Sequence, residues 1–302
     1  MLYLVASIVL SVMLLLNFRL FPRFGVNTLQ AIVFNYPVCF LTGYLLMPAG
    51  QTFSLDFGQT WTWMAFALGV GFIVTFLLSG ASTQRSGITA TSLANNLSLV
   101  IPVAFSLLVL GGGKVFDGFN YLGILLALVA VGLSTYQTPE PGQATTQAKT
   151  NALWLPIGVF LMSGLTNTII NYMNVRYITE PGRTVPVTLT MVLGAIVAGA
   201  VLLGVRLAQG KERVESRNVL AAFTLGVPNF LSFYTLVMAL TAFGGNGAFV
   251  YPLYNIGVIL VAALMAALFF GEKLSGINRL GLGLAVLAIG LISWQELSGL
   301  FA

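Results

Sequence analysis

The sequence predicts an all-α, polytopic membrane protein with ten transmembrane helices arranged as two inverted five-helix repeats. Three observations carry that expectation. The 302 residues are 58% hydrophobic and only 7% charged, against roughly 25% charged in an ordinary soluble domain. The few charges bracket long uncharged stretches. Segments from the two halves of the chain align at a common offset.

The elements follow from the charge spacing. A membrane-spanning helix needs about 20 mostly apolar residues, and a Lys or Arg at either end can snorkel to the surface. The uncharged stretches are 1–18, 24–55, 57–84, 86–113, 118–139, 150–175, 184–205, 218–271 and 280–295. Each holds one span except 218–271, which is long enough for two with a break at Phe243-Gly244-Gly245-Asn246. The expected spans are 2–20, 28–48, 61–83, 87–110, 119–136, 152–175, 185–207, 218–241, 246–270 and 277–297. No basic residue precedes the first apolar run and no small-residue cleavage site follows it, so it reads as a retained helix. Linker character is confined to 137–150 (QTPEPGQATTQAKT) and 208–217 (AQGKERVESR).

The first linker lies halfway along the chain and invites a search for a repeat. Shifted by 158, YLGILLALVAVGLSTYQ (121–137) lies over RLGLGLAVLAIGLISWQ (279–295). Shifted by 157, Ala65-Phe66, Leu68-Gly69-Val70 and Phe76 lie over Ala222-Phe223, Leu225-Gly226-Val227 and Phe233. The expected organisation is a first five-helix repeat at 1–136, a linker at 137–150 and a second repeat at 151–302. A second copy of an odd-numbered repeat enters the membrane upside down, and such halves usually meet at a site near the midplane.

With its ten spans, its five-helix repeat, GEKLS (271–275) after the ninth span and LGLGLAVLAIGL in the tenth, the chain resembles the drug/metabolite transporter superfamily. Within it, the ten-helix EamA-like branch is the nearest match. The resemblance covers essentially the whole chain, and the Gly271-Glu272 turn with the glycine-rich helix after it is its most specific part. It implies movement of small metabolites, often outward, through a cavity lined by spans one, three, four, six, eight and nine. It also implies a bacterial inner-membrane location. The first-half counterpart of the turn departs from the family pattern: it reads Gly112-Gly113-Lys114, where a glutamate is usual.

Composition excludes several functions. There is no histidine, and Cys39 is the single cysteine, so neither a zinc site of the usual kind nor an intrachain disulfide is available. No Asp, Glu, Lys or Arg falls in the middle of a span. An intramembrane enzyme needs a base or a metal at depth, and serine without His or Lys nearby is a poor nucleophile. No catalytic residue, metal ligand or cofactor is expected. The net charge of +5 is scattered over short loops and reads as an orientation signal, with the bilayer rather than nucleic acid as partner.

Asparagine and tyrosine remain at depth. Asn229 follows Pro228 in span eight, and Asn255 lies in span nine with Tyr251, Pro252 and Tyr254 just before it. Asn95 and Asn96 lie in span four, Asn167 and Asn171 in span six, and Asn17 nearer one face in span one. Each amide has two donors and two acceptor lone pairs, none of which hydrocarbon can satisfy. Pro228 and Pro252 each free a helix carbonyl close to these groups. The expected binding set for a small-molecule solute is therefore Asn229, Asn255, Tyr254, Tyr251, Asn96, Asn167, Asn171 and Asn17. Interhelical glue is the competing reading for the amides, and an interfacial aromatic belt for Tyr251.

With no fixed charge at depth, the cargo expected is neutral or zwitterionic, such as an amino acid. A flippase for a lipid-linked head group and a non-transporting assembly or sensor protein fit the same features. The spacing Gly194, Ala198/Gly199 and Gly204 raises the expectation of a homodimer through small-residue packing. Glu272 and Lys273 read as helix terminators meeting the head groups.

The basic residues divide unevenly between the two sets of loops. Arg19, Arg23, Arg85, Lys149, Arg206, Lys211, Arg213, Arg217, Lys273 and Arg279 fall on one side, and Lys114, Arg176 and Arg183 on the other. The positive-inside rule then puts both chain termini outside the cytoplasm, whereas the resemblance implies the reverse.

Overall fold

The computed structural model describes residues 1–47, 52–109, 117–135, 146–176, 184–243 and 247–294. All regular structure among them is helical: α1 Leu2–Leu20, α2 Thr28–Leu45, α3 Thr60–Ser86, α4 Ile88–Leu97, α5 Val100–Val109, α6 Gly118–Thr135, α7 Thr146–Arg176, α8 Thr184–Ala208, α9 Ser216–Ala242, α10 Gly247–Phe270 and α11 Gly276–Ile292, with one short 3₁₀ turn at Phe21–Phe24. Among the described residues, six segments are long and apolar enough to cross a membrane: Leu2–Phe24, Thr60–Ser86, Ile88–Phe105, Val185–Ala208, Ser216–Ala242 and Val250–Phe270. Gly118–Leu133 and Gly276–Ile292 are apolar but shorter. Large apolar side chains such as Leu41, Trp63, Leu125, Val201, Leu268 and Leu287 stand exposed along these helices. Soluble monomers rarely expose apolar patches on that scale, and an integral membrane protein does.

The helix bounds follow the expected spans closely, with one exception. The fourth span is interrupted at Ser98-Leu99, between α4 and α5. Pro102 explains the break, since it has no N–H to offer the Ser98 carbonyl and its ring crowds that oxygen. The Ile101 N–H turns to Ser98 O at 3.0 Å, and the Ser98 hydroxyl donates to Asn95 O at 2.6 Å. The expected 137–150 linker lies outside the described residues as far as 145, and α7 already begins at Thr146. Gly112-Gly113-Lys114 and residues 244–246 also lie outside them.

The chain divides into two compact units. The first comprises Met1–Arg19, Leu78–Leu165 and Ser232–Ala302. Its core joins Leu93, Leu97, Ala127, Val159, Ile259, Ala285 and Ile289. α6 packs along α11, and α4 along α10. The α6–α11 pair is antiparallel and bonded reciprocally. Asn120, at the start of α6, donates to Ile292 O at 2.8 Å and Leu291 O at 3.3 Å. Asn278, at the start of α11, donates to Leu133 O at 3.2 Å. Residues 120 and 278 are 158 apart, as are 133 and 291. The two Asn also occupy matching caps. Asp117 accepts from the Asn120 N–H and Asn120 from the Asp117 N–H, both at 3.1 Å, while Ser275 and Asn278 form the same box.

The second unit comprises Leu20–Leu77 and Thr166–Leu231. It has its own core of Ala65, Leu68, Met173, Val187 and Met191, and α2 packs along α8. Its helices approach closely through glycine. A Cβ on Gly69 would collide with the backbone of Met191, Gly194 and Ala195 in α8. A Cβ on Gly226 would lie 2.7 Å from Asn35 O and from Val38 in α2. Gly69 and Gly226 are 157 apart, as are Val38 and Ala195, so this contact is reciprocal too. Lipid is as apolar as leucine, and close approach with interhelical hydrogen bonds is what holds such helices together.

Candidate functional site

The first unit gathers polar side chains from α1, α4 and α10. α4 and α10 run antiparallel: Ile88 packs with Val258, Ala262 and Ala266, whereas Leu97 shares a cluster with Ile256 and Ile259. The Ser92 hydroxyl donates to Val258 O at 3.5 Å. One helical turn further along each helix brings Asn96 level with Tyr254 and Asn255. On the α1 side, the Tyr254 hydroxyl lies 2.7 Å from the Ser11 hydroxyl, and Ser7, a turn earlier, donates to Ser232 O at 2.7 Å.

Asn255 is the unusual member. It is 8% exposed and makes no hydrogen bond to any described residue. Its amide atoms are not among the fully enclosed, partnerless ones, so they keep accessible surface through which water or a ligand can reach them. Asn96 is also buried. Its amide nitrogen donates back to Ser92 O at 2.8 Å, and its Oδ1 accepts nothing from a described residue. Asn95, on the exposed side of α4, accepts from the Ser163 hydroxyl of α7 at 2.7 Å. This cluster can exchange neutral hydrogen bonds in both senses, and it contains no ionisable acid or base besides the phenol.

Of the expected set, the structure brings together Asn96, Tyr254 and Asn255. Tyr251 is a turn away and 44% exposed, as a belt residue would be. Asn17 lies further along α1, where its amide donates to its own helix at Met13 O, 2.9 Å away. Asn229, Asn167 and Asn171 belong to the second unit. There Asn229 donates to Asn35 Oδ1 at 3.3 Å. The Cys39 thiol reaches the same oxygen at 3.4 Å and Gly226 O at 3.3 Å. Asn35 Nδ2 and the Tyr36 hydroxyl are buried there without partners. Asn167 is exposed on α7 and Asn171 half-buried.

Sequence reasoning passed over the serines. Ser7, Ser11, Ser92 and Ser163 supply the partners around the amides, yet an isolated serine in an apolar helix carries no signal by itself. It also missed a partner of Glu272. The Gly271-Glu272 turn does end α10, with Gly271 at φ +62° and the Glu272 N–H bonded to Ala266 O at 3.1 Å, a glycine C-cap. The Glu272 carboxylate also accepts from the Ile88 N–H at 2.8 Å, at the start of α4.

A concavity of about 480 Å³ lies in the second unit, where the start of α2 meets the α8–α9 connection. Glu212 there accepts from Asn27 at 2.7 Å and Gln30 at 2.9 Å, and Gln30 accepts from Asn218 at 2.8 Å. These groups satisfy one another and tie the connection to α2. The neighbouring Glu215 carboxyl is held below its ordinary value by its hydrogen bond to Arg217.

No family model matches the chain. An uncharacterized protein of Haemophilus influenzae is 28% identical over 265 residues, covering 86% of each chain. A protein of known crystal structure superposes with a TM-score of 0.58 at 13% identity, covering 96% of this chain and 98% of that one. That likeness is one of fold alone.

Proposed function

We propose that this chain is a membrane transporter that carries a small neutral or zwitterionic polar metabolite, amino-acid-like, by alternating access at a cavity bounded by α1, α4 and α10. The reading includes ten spans in two inverted repeats, a bacterial inner-membrane location and the outward direction that the family resemblance implies. One observation carries the function: the Asn255 side chain, 8% exposed and without a hydrogen bond to any described residue, beside the Ser11–Tyr254 hydroxyl pair.

The reciprocal contacts support the inverted repeat. An antiparallel pair bonded alike at both ends has a local two-fold axis perpendicular to it, crossing midway between its bonds at Ala127 and Ala285, both fully buried. The Ser92–Val258 contact is four residues from Asn96 on one helix and four from Tyr254 on the other. Asn96 and Tyr254 are again 158 apart. For helices that cross a bilayer, a perpendicular axis lies in the membrane plane, which supports a mid-depth position for Asn96 and Tyr254, where inverted-repeat carriers hold their cargo.

The test is a thermal-shift screen of the purified chain in detergent against amino acids, nucleosides and sugars. A neutral or zwitterionic solute should raise the melting temperature of the native protein and not of Asn255→Ala. Stabilisation that survives this substitution unchanged would move the site elsewhere.

A further inference from the structure

The turn between α3 and α4 is gripped from both sides by charged side chains. α3 ends at Ser86 and α4 begins at Ile88, leaving Gly87 alone between them at φ +97°, a conformation L side chains rarely adopt. The chain therefore reverses on one glycine. On the α3 side, the Arg19 guanidinium donates to Thr83 O at 3.3 Å and Gln84 O at 2.6 Å, two of the carbonyls that a helix end leaves open. Gln84 returns the contact, its amide donating to Phe18 O at 3.0 Å. On the α4 side, Glu272 accepts from the Ile88 N–H at 2.8 Å, the Thr89 N–H at 3.4 Å and the Thr89 hydroxyl at 3.2 Å. A cation at a helix C-terminus and an anion at a helix N-terminus are each placed as the helix dipoles favour.

The elements involved are those of the candidate site. Arg19 closes α1, which carries Ser11. Glu272 follows α10, which carries Tyr254 and Asn255, and the helix it caps carries Asn96. All three helices are thus tied at one end through a single glycine hinge. That end belongs to the basic-rich side of the chain, the cytoplasmic side by the charge count. By the repeat offset, position 272 corresponds to Lys114 and position 87 to Gly245, both outside the described residues, so the sequence puts a lysine in the first half where the second half has a carboxylate.

We propose that Arg19 and Glu272 are positioning residues that latch the Gly87 hinge, and that their release opens the candidate site at this end. The proposal rests on the transport reading above. A carrier must open one end at a time, and the end that opens must be closed by contacts weak enough to break in the cycle. Two side chains holding backbone groups across a one-residue hinge meet that need, whereas the buried α6–α11 seam does not.

The test uses the full chain in sealed vesicles, with Cys39→Ala removing the native thiol and Ser11→Cys placing one at the site. A membrane-impermeant maleimide is offered to each face separately. With the latch intact, labelling from the basic face should be slow. Glu272→Ala should raise it roughly fivefold to tenfold, the scale of losing a helix cap and its dipole contact. Glu272→Gln, which keeps an acceptor, should fall between, and Arg19→Gln should act in the same direction through the other side of the hinge. Thr89→Val removes one contact of three and gives a smaller increase in a fold disturbed least. Unchanged labelling from both faces, with only a lower melting temperature, would make these contacts ordinary helix caps and overturn the latch. A thiol at position 11 that reacts from neither face in any variant would instead overturn the site reading itself.

Discussion

Asn120 and Asn278 hold opposite ends of one helix pair by the same contact. Each caps its own helix and donates its amide to the last carbonyls of the other, Asn120 to Leu291 and Ile292, Asn278 to Leu133. Helix ends buried at a packed seam need such partners. Here one side chain satisfies its own helix start and its neighbour's end, twice over.

The two positions should therefore be energetic equals. Asn120→Ala and Asn278→Ala should each cost about 1–2 kcal/mol, for a lost cap and an unmatched carbonyl. The contacts sit at opposite ends of the pair, about 20 Å apart by helix rise, so the double substitution should add to within about 0.5 kcal/mol. Unfolding of the purified variants in micelles measures all three. Markedly unequal single costs would argue against equivalent positions of a repeat.

Glycine substitution should discriminate helix seams from open faces. Gly69→Ala and Gly226→Ala drive a methyl into a neighbouring backbone and should cost about 1–3 kcal/mol as overpacking. Gly204→Ala meets no atom within 4 Å and should leave the melting temperature unchanged. The same geometry bears on the small-residue spacing in α8. Gly194 faces Phe66 and Gly199 faces Ile73 and Val33 in this chain, so much of that stripe is used internally.

Helix positions were legible because charge brackets most spans, as for α1; α9 and α10 share one uncharged stretch, and α9 ends at Ala242 beside the expected Phe243-Gly244-Gly245-Asn246 break, of which 244–246 lie outside the described residues. Proline was not legible in the same way. Pro37, Pro156, Pro228 and Pro252 sit inside continuous helices, while Pro102 accompanies a break, because the outcome depends on where the freed carbonyl and its neighbours find partners. The amides show the same limit. Residue type singled out Asn229 and Asn255 alike, yet one donates to Asn35 and the other to nothing described. Partnership is a property of the fold, and no spacing rule encodes it.

Orientation follows from the basic residues. On the proposed ten-span reading, with ten Lys and Arg on one side and three on the other, the positive-inside rule predicts both termini outside the cytoplasm. A C-terminal fusion to a reporter active only in the cytoplasm should therefore be silent, and a periplasmic reporter active. The reverse result would restore the orientation that the family resemblance implies.

Energy coupling is constrained by what the cluster lacks. Proton-driven carriers commonly hold the proton on an intramembrane carboxylate. The described carboxylates are Asp56, Asp117, Glu212, Glu215 and Glu272, all in or beside the connections between helices. Uptake into proteoliposomes should proceed by facilitated diffusion or exchange. With membrane potential clamped, a pH gradient alone should leave the rate of a neutral solute unchanged; a several-fold acceleration would contradict this.

Asn255 and Asn229 should separate into different kinds of residue. Asn255 is buried beside the Ser11–Tyr254 pair with no hydrogen bond to a described residue, so removing its amide strips none of the described contacts from the empty protein and one or two hydrogen bonds from the loaded one. Asn255→Ala should weaken solute binding by roughly 1–2 kcal/mol with little change in melting temperature, and Asn255→Leu should fill the space and stop transport. Asn229 instead donates to Asn35 in a cluster where Asn35 Nδ2 is already unmatched. Asn229→Ala removes a further partner from that buried amide and should lower stability by about 1 kcal/mol or more. Melting temperature and solute affinity measured on the same preparations decide the matter. If Asn255→Ala destabilises the fold while affinity holds, Asn255 is interhelical glue, and the cluster of α1, α4 and α10 is packing rather than a binding site.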